Sequence, residues 1–249
     1  MKENLLRARN VVKSFENASS KITVLDDVDV DIQKGEFLTI MGPSGSGKST
    51  LLYAISGMDT IDSGKITIDD TDINQLNNEE ISDFRRKKMG FIFQNATMLK
   101  NLNILDNILL PAVKDKQDVA SAKTKAYELM ELTGIKDLEN RYISQVSGGE
   151  LQRASICRAL INEPQIVFGD EPTGALNSKT TKEVIGLLKE INSRGTTLLL
   201  VTHDPNVAYV SDRVLFMKDG KIISEEILAN LDEEKRQKKV MSKMSELKI

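Results

Sequence analysis

The chain has 249 residues, with 34 lysines plus arginines against 37 aspartates plus glutamates and a formal net charge of −3. That length suits one large α/β domain, or one domain with a smaller helical insert, and the near balance of charge argues against a broad electrostatic hold on nucleic acid. A lone cysteine, Cys157, excludes an internal disulfide framework, and no apolar run approaches the ~20 residues that span a bilayer.

In chain order, residues 5–15 and 23–32 read as strands, the second alternating Val24, Val28, Val30 and Ile32 with aspartates. With residues 64–68 they form an antiparallel layer ahead of and beside a glycine-rich loop. Residues 36–41 read as a buried strand and residues 49–56 as a helix. Between them stands Gly42-Pro43-Ser44-Gly45-Ser46-Gly47-Lys48-Ser49, which fits the phosphate-loop pattern G-x-x-x-x-G-K-[ST]. In that pattern glycines let backbone N–H groups turn inward around phosphate oxygens at a helix start. The lysine adds a point charge for the outer phosphates and the hydroxyl sits on Mg²⁺. Thr50 is counted with the loop as nucleotide-binding.

Residues 79–88 read as a helix and residues 89–93 as a buried strand ending at Gln94, whose amide can join Mg²⁺ or an attacking water. From 103 to 134 the pattern turns mostly helical, with Ala120, Ala126, Leu129, Met130 and Leu132 on one apolar face. Ser147-Gly148-Gly149 then precedes a helix placed at 150–161, a second potential phosphate site because a helix N-terminus carries partial positive charge. Strand 165–168, helix 179–192 and strand 196–202 alternate as a parallel sheet requires. Asp170 and Glu171 follow the first of these strands, Asp170 placed for the Mg²⁺ shell and Glu171 to take a proton from water. His203, the only histidine, follows the second and can reach a γ-phosphate oxygen, or it is a turn residue before an Asp204-Pro205 helix start. Gly42, Gln94, Asp170 and His203 all fall beyond carboxyl ends of strands, where ligands bind in such sheets. Together these motifs imply ATP binding and hydrolysis. Past Gly220 the pattern weakens into the mixed charge run 232–239, read as a solvated helix or frayed tail, or as a membrane-surface or partner contact.

Over residues 5–225 the chain resembles the ATP-binding subunits of ABC transporters. Gly42 to Ser49 is similar to the Walker A loop, Gln94 to the Q-loop, Val146-Ser147-Gly148-Gly149-Glu150 to the signature motif, Asp170-Glu171 to the Walker B end and His203 to the switch histidine. The fold this implies is α/β: a P-loop NTPase core with a mainly parallel sheet, an antiparallel β layer and a helical insert at about 95–160, followed by a charged tail at 226–249. The resemblance further implies ATP and Mg²⁺ as ligands, with Ser49, Gln94 and Asp170 toward the metal, Glu171, His203 and Gln94 in catalysis, and Phe15 stacking on adenine. Two copies would close head to tail around two ATP molecules, Ser147 and Gly149 of one reaching the γ-phosphate held by Lys48 of the other.

Gly90 to Gln94, Leu110-Pro111 and Asp170 to Gly174 resemble the branch with lipoprotein-release, macrolide-export and antimicrobial-peptide-detoxifying transporters. The expectation is therefore an ATPase that powers a separate membrane permease from the cytoplasmic face, exporting or detoxifying antimicrobial peptides or related hydrophobic compounds. No nucleic-acid partner is expected. Residues 94–111 would line the groove for a permease helix, with Met98, Leu99 and Leu102 either as its apolar contacts or as ordinary core. A soluble ABC-type ATPase acting on nucleic acid or ribosomes is the alternative. The chain departs from the family pattern at Asn177, where aspartate is usual. Asparagine there either alters communication between the ATP sites or serves as a helix cap. Phe15, Glu150, Val146 and Gly169 are lesser departures, the last without an evident sequence reason.

Overall fold

The computed structural model describes residues 3–17 and 20–248. Two sheets share one core. Strands β1 (Asn4–Asn17) and β2 (Ser20–Gln33) pair antiparallel, and with β4 (Ser63–Ile68) and β5 (Thr71–Asp72) they form a four-stranded sheet in the order β2-β1-β4-β5. The second sheet has six strands. These are β3 (Phe37–Met41), β6 (Met89–Phe93), β7 (Ile166–Asp170), β8 (Thr197–Thr202), β9 (Arg213–Lys218) and β10 (Lys221–Ile227), in the order β10-β9-β3-β8-β7-β6. All neighbours are parallel except the β9–β10 hairpin.

The parallel strands read as continuous apolar runs because both of their faces are covered. Along β8, Leu198 and Leu200 enter the cluster under the helices, whereas Leu199 and Val201 enter the cluster shared with the antiparallel sheet. In β7, Val167 takes the first side while Ile166 and Phe168 take the second. This period of two divides the interior. Helix α1 (Lys48–Ile55) lies between the sheets, with Leu51, Leu52 and Ile55 buried in the second cluster. Helix α2 (Asn78–Lys88) leads into β6. On the opposite face lie α3 (Ile104–Lys114), α4 (Val119–Leu132), α5 (Gly148–Leu160) and α6 (Ser178–Ser193), the first three within residues 95–160 and the last the helix expected between the strands at 165–168 and 196–202.

Two expected boundaries change and two open alternatives resolve. Helix α5 begins at Gly148 rather than at 150, because Ser147 caps it and both glycines lie in its first turn. The boundary expected after residue 225 falls inside β10, and of the readings of the charge run 232–239 the solvated helix holds, its residues being mostly exposed, while the helix that contains it is anchored on its other face. After the short helix α7 (Pro205–Val210), α8 (Glu233–Leu247) turns Val240, Met244 and Leu247 inward onto Met41, Ala208, Phe216 and Leu228. Finally, Met98 is 8% exposed and belongs to the core, while Leu99 is 47% exposed.

Candidate nucleotide site

The loop between β3 and α1 owes its shape to positions that admit no side chain. A Cβ on Gly42 would lie 2.1 Å from the Met217 carbonyl oxygen. Gly47 has φ +101, and a Cβ there would lie 2.8 Å from the Val24 carbonyl, so only glycine fits without strain. The β9–β10 turn braces the loop, with Gly220 N–H donating to Ser46 O at 3.1 Å. Pro43 O accepts from Ser46 N–H at 3.2 Å. Ser44 and Gly45 are exposed at the tip, and Thr50 is half-buried just inside the helix. Lys48 reaches back into the loop, donating to Gly42 O and Pro43 O at 2.9 Å each. Burial lowers its pKa, a tendency opposed by the charges of Glu171 and Asp170.

Several features suit this concavity to a polyphosphate. The N-cap Gly47 leaves the first N–H groups of α1 without a side-chain cap. The Ser46 hydroxyl is buried without a hydrogen-bond partner, and a Cβ on Gly45 would meet nothing within 4 Å. Donors and a lysine thus converge where oxygens of an anion would lie.

At the carboxyl end of β7, Asp170 takes hydroxyls from one face of α1. Ser49 Oγ donates to Oδ1 at 2.7 Å and Tyr53 Oη to Oδ2 at 2.5 Å. Oxygen donors of this kind suit Mg²⁺. Among the described residues no cluster of three or more His, Cys, Asp or Glu side chains could hold a metal by itself. The set therefore fits a Mg²⁺ that arrives with phosphates, held by Ser49 and one oxygen of Asp170. Gln94 is exposed at the end of β6, and its Nε2 is the nearest atom, 2.8 Å, to a Cβ built on Gly174. The Q-loop side chain thus lies against the turn that follows Glu171.

Glu171 is held on all sides. Its backbone adopts φ +47, a left-handed conformation costing about 1 kcal/mol or more for a side-chain-bearing residue. Its N–H donates to Val201 O at 2.9 Å, and its own carbonyl accepts from Gly174 N–H at 3.0 Å. The carboxylate takes Thr202 Oγ1 at 2.9 Å on Oε2 and His203 Nδ1 at 2.8 Å on Oε1. An ionised Glu171 accepts there, so the imidazole carries a proton on Nδ1. The His203 side chain is 67% exposed and that of Glu171 is 16% exposed. A largely buried carboxylate with one buried and one exposed partner is suited to accept a proton from water.

Phe15, on β1, is exposed, with the Lys13 ammonium 5.1 Å from its ring centroid. Lys13 is itself buried and tied to Asp59 Oδ1 at 2.9 Å and Thr60 O at 2.7 Å. Ser147, Gly148 and Gly149 stand apart. Ser147 and Glu150 form a capping box, and no described hydrogen bond joins this triplet to residues 42–50. Asn177 caps α6, its Oδ1 accepting from Lys179 N–H at 3.1 Å and Thr180 N–H at 3.0 Å. Gly169 also acquires a reason, since a Cβ there would lie 2.4 Å from Cδ2 of Leu200, its partner across the sheet.

Sequence reasoning passed over three residues. Thr202 and Tyr53 hold the two carboxylates. Buried Gln152 donates from Nε2 to Phe93 O at 3.1 Å and Pro172 O at 2.8 Å, tying α5 to both loops that flank the site. Tyr53 stands one helical turn from Ser49, a spacing that signals a shared face. Thr202 has only its adjacency to His203.

The ABC transporter family profile matches residues 25–174. The chain is 41% identical over 222 residues to the bacitracin export ATP-binding protein BceA of Halalkalibacterium halodurans, covering 89% of this chain and 88% of that one. It is 42% identical over 219 residues to the lipoprotein-releasing system ATP-binding protein LolD of Wigglesworthia glossinidia brevipalpis, covering 88% and 96%. Its structure superposes on the dimeric cassette MJ0796 of Methanocaldococcus jannaschii with a TM-score of 0.85 at 38% identity, covering 91% of this chain and all of that one. A post-hydrolysis dimer of the same protein bound to ADP and Pi gives a TM-score of 0.84. The chain therefore belongs to the ABC transporter family, as one of its ATP-hydrolysing, ATP-binding subunits.

Proposed function

We propose that this subunit couples ATP hydrolysis to a separate permease at the cytoplasmic face of the membrane, and that its cargo is an antimicrobial peptide or related hydrophobic compound. The observation that carries the enzymatic part is the clamped Glu171 beside the Ser49–Asp170 pair.

In this reading the backbone of Gly42, Pro43, Ser44, Gly45, Ser46 and Gly47, with Lys48, Ser49 and Thr50, receives the triphosphate, and Phe15 stacks on adenine. Ser49, Asp170 and Gln94 would hold Mg²⁺, which when bound would offset the charge of the phosphates. Glu171 takes the proton of the attacking water. His203 turns from Glu171 to the γ-phosphate, which its exposure permits. Lys48 exchanges its two loop carbonyls for phosphate oxygens.

The second half of each site comes from another copy. Ser147, Gly148 and Gly149 open α5 away from the phosphate loop of their own chain, and MJ0796 forms a dimer, both of which support a head-to-tail pair with ATP between the copies. Hydrolysis reopens the pair, and the motion passes to the permease. The exposed Leu99 and Leu110 beside the loop after Gln94 offer apolar surface for such a partner. No described helix is long and apolar enough to cross a membrane. The cargo class rests on the likeness to BceA.

Affinity capture from solubilised native membranes tests the proposal, using the Glu171→Gln chain with ATP and Mg²⁺. Recovery of a multi-span permease is expected, and its extracellular portion identifies the cargo class. Recovery of ribosomes or nucleic-acid proteins alone contradicts it.

A further inference from the structure

Gln152 is an amide buried in α5 where the packing face is otherwise small or apolar. It is 2% exposed, and a buried polar side chain is stable only where partners match it. Its Nε2 carries two hydrogens, and two carbonyls take them, Phe93 O at 3.1 Å and Pro172 O at 2.8 Å. Phe93 immediately precedes Gln94, and Pro172 immediately follows Glu171. One side chain thus joins the main chain beside both residues.

The bridge stands where the sheet stops tying these segments together. β6 and β7 pair as far as Phe93 opposite Asp170, and among the described residues no backbone hydrogen bond joins 94–102 to 171–177. Beyond that pair Glu171 turns away, its N–H donating to Val201 O on β8 and its carbonyl accepting from Gly174 N–H. Helix α5 is a firm support for the bridge. A Cβ on Gly90 would lie 2.3 Å from Ala159 O, so the helix backbone rests directly on β6. Gln152 stands about two turns earlier, at the carboxyl end of the strand.

We infer that Gln152 is a positioning residue for hydrolysis: it fixes the loop that begins at Gln94 and the turn that carries Glu171 in one register against α5. This rests on the reading of Gln94 and Glu171 as hydrolytic residues. Gln152 makes no described hydrogen bond to either of those side chains and acts through the carbonyls of Phe93 and Pro172.

The test compares phosphate release at saturating ATP with binding of a fluorescent ATP analogue, both in the full chain, with urea unfolding alongside. Gln152→Met keeps the length and most of the volume of the side chain and removes both hydrogens. Two neutral hydrogen bonds expressed fully in the transition state correspond to about a thirtyfold fall in kcat. ATP affinity should be unchanged, because neither carbonyl belongs to the phosphate loop. In a Glu171→Gln background the same substitution should lower the residual single-turnover rate by a smaller factor, since the carboxylate whose placement it controls is gone. Gln152→Glu, which keeps the shape and cannot donate to both carbonyls, carries the test if the methionine variant does not fold, with the same loss of kcat expected. Parental kcat in either folded variant overturns the inference and leaves the reading of Glu171 intact. So does a fall in kcat matched by an equal fall in ATP affinity, or one of the same size with and without the Glu171 carboxylate, both of which mark a packing role. Parental turnover in Glu171→Gln itself overturns the reading of Glu171 and the inference together.

Discussion

Thr202→Val removes one oxygen and nearly nothing else. The side chain is fully buried, and its hydroxyl donates to Glu171 Oε2 at 2.9 Å while accepting from Asp204 N–H at 3.0 Å. A hydrogen bond to a charged group contributes about 1.5–3 kcal/mol and a neutral one about 1 kcal/mol. Valine should therefore lower stability by about 2–4 kcal/mol, read as a shift in urea midpoint with unchanged slope. The kinetic effect follows from the geometry of Glu171, the proposed base. Glu171 sits in a left-handed conformation with two side-chain partners, and losing the buried one lets the carboxylate follow His203. If the lost hydrogen bond acts fully in the transition state, about 1.5–3 kcal/mol corresponds to roughly a 10- to 100-fold fall in kcat. ATP affinity should hold, since Thr202 faces the base and not the phosphate loop. Thr202→Ser retains the hydroxyl and should retain most of kcat. The assay is steady-state phosphate release at saturating ATP, alongside equilibrium unfolding. A Val variant with parental kcat would refute the claim that this hydroxyl positions Glu171, whatever its stability.

Two further predictions concern packing. Gly169→Ala places a Cβ 2.4 Å from Leu200 Cδ2 and should cost about 1–3 kcal/mol through overpacking; adding Leu200→Val should recover most of it, and additive losses in the double variant would contradict the pairing. Cys157 is fully buried, with burial pushing its thiol up to about 12 while Thr133 Oγ1 lies 3.1 Å from Sγ. Its alkylation at pH 8 should therefore proceed only as the chain opens, which mass spectrometry across a urea series would show. Rapid labelling without denaturant would contradict it.

Much of the fold was legible because the central strands are covered on both faces and so read as unbroken apolar runs. β3, β6, β7 and β8 all announce themselves this way. β9 is equally buried but has only Val214 to Met217 between charged ends, and β10 is an edge strand of alternating exposure, so the hairpin carries a weak signal. Helix α8 hides its packing face among lysines and glutamates. Val240, Met244 and Leu247 are spaced for one stripe, yet Met241 on the other face is 50% exposed and blurs it. At the candidate site, the glycine pattern was legible because backbone crowding at Gly42 and Gly47 leaves little choice of residue. The Ser49–Asp170 contact joins positions 121 residues apart, and only the sheet order, with β8 between β3 and β7, brings them together. Gly169 made sense only once Leu200 was seen across from it.

The central claim is that Glu171 is the general base of an ATP-hydrolysing site. Its most direct test is to measure ATP binding and ATP turnover side by side in the parent chain and in Glu171→Gln, which preserves size and hydrogen-bonding shape but cannot accept the proton. The account predicts comparable ATP affinity, turnover lower by about 100-fold or more, and accumulation of an ATP-dependent dimer on size exclusion. Parental turnover in the glutamine variant would contradict it.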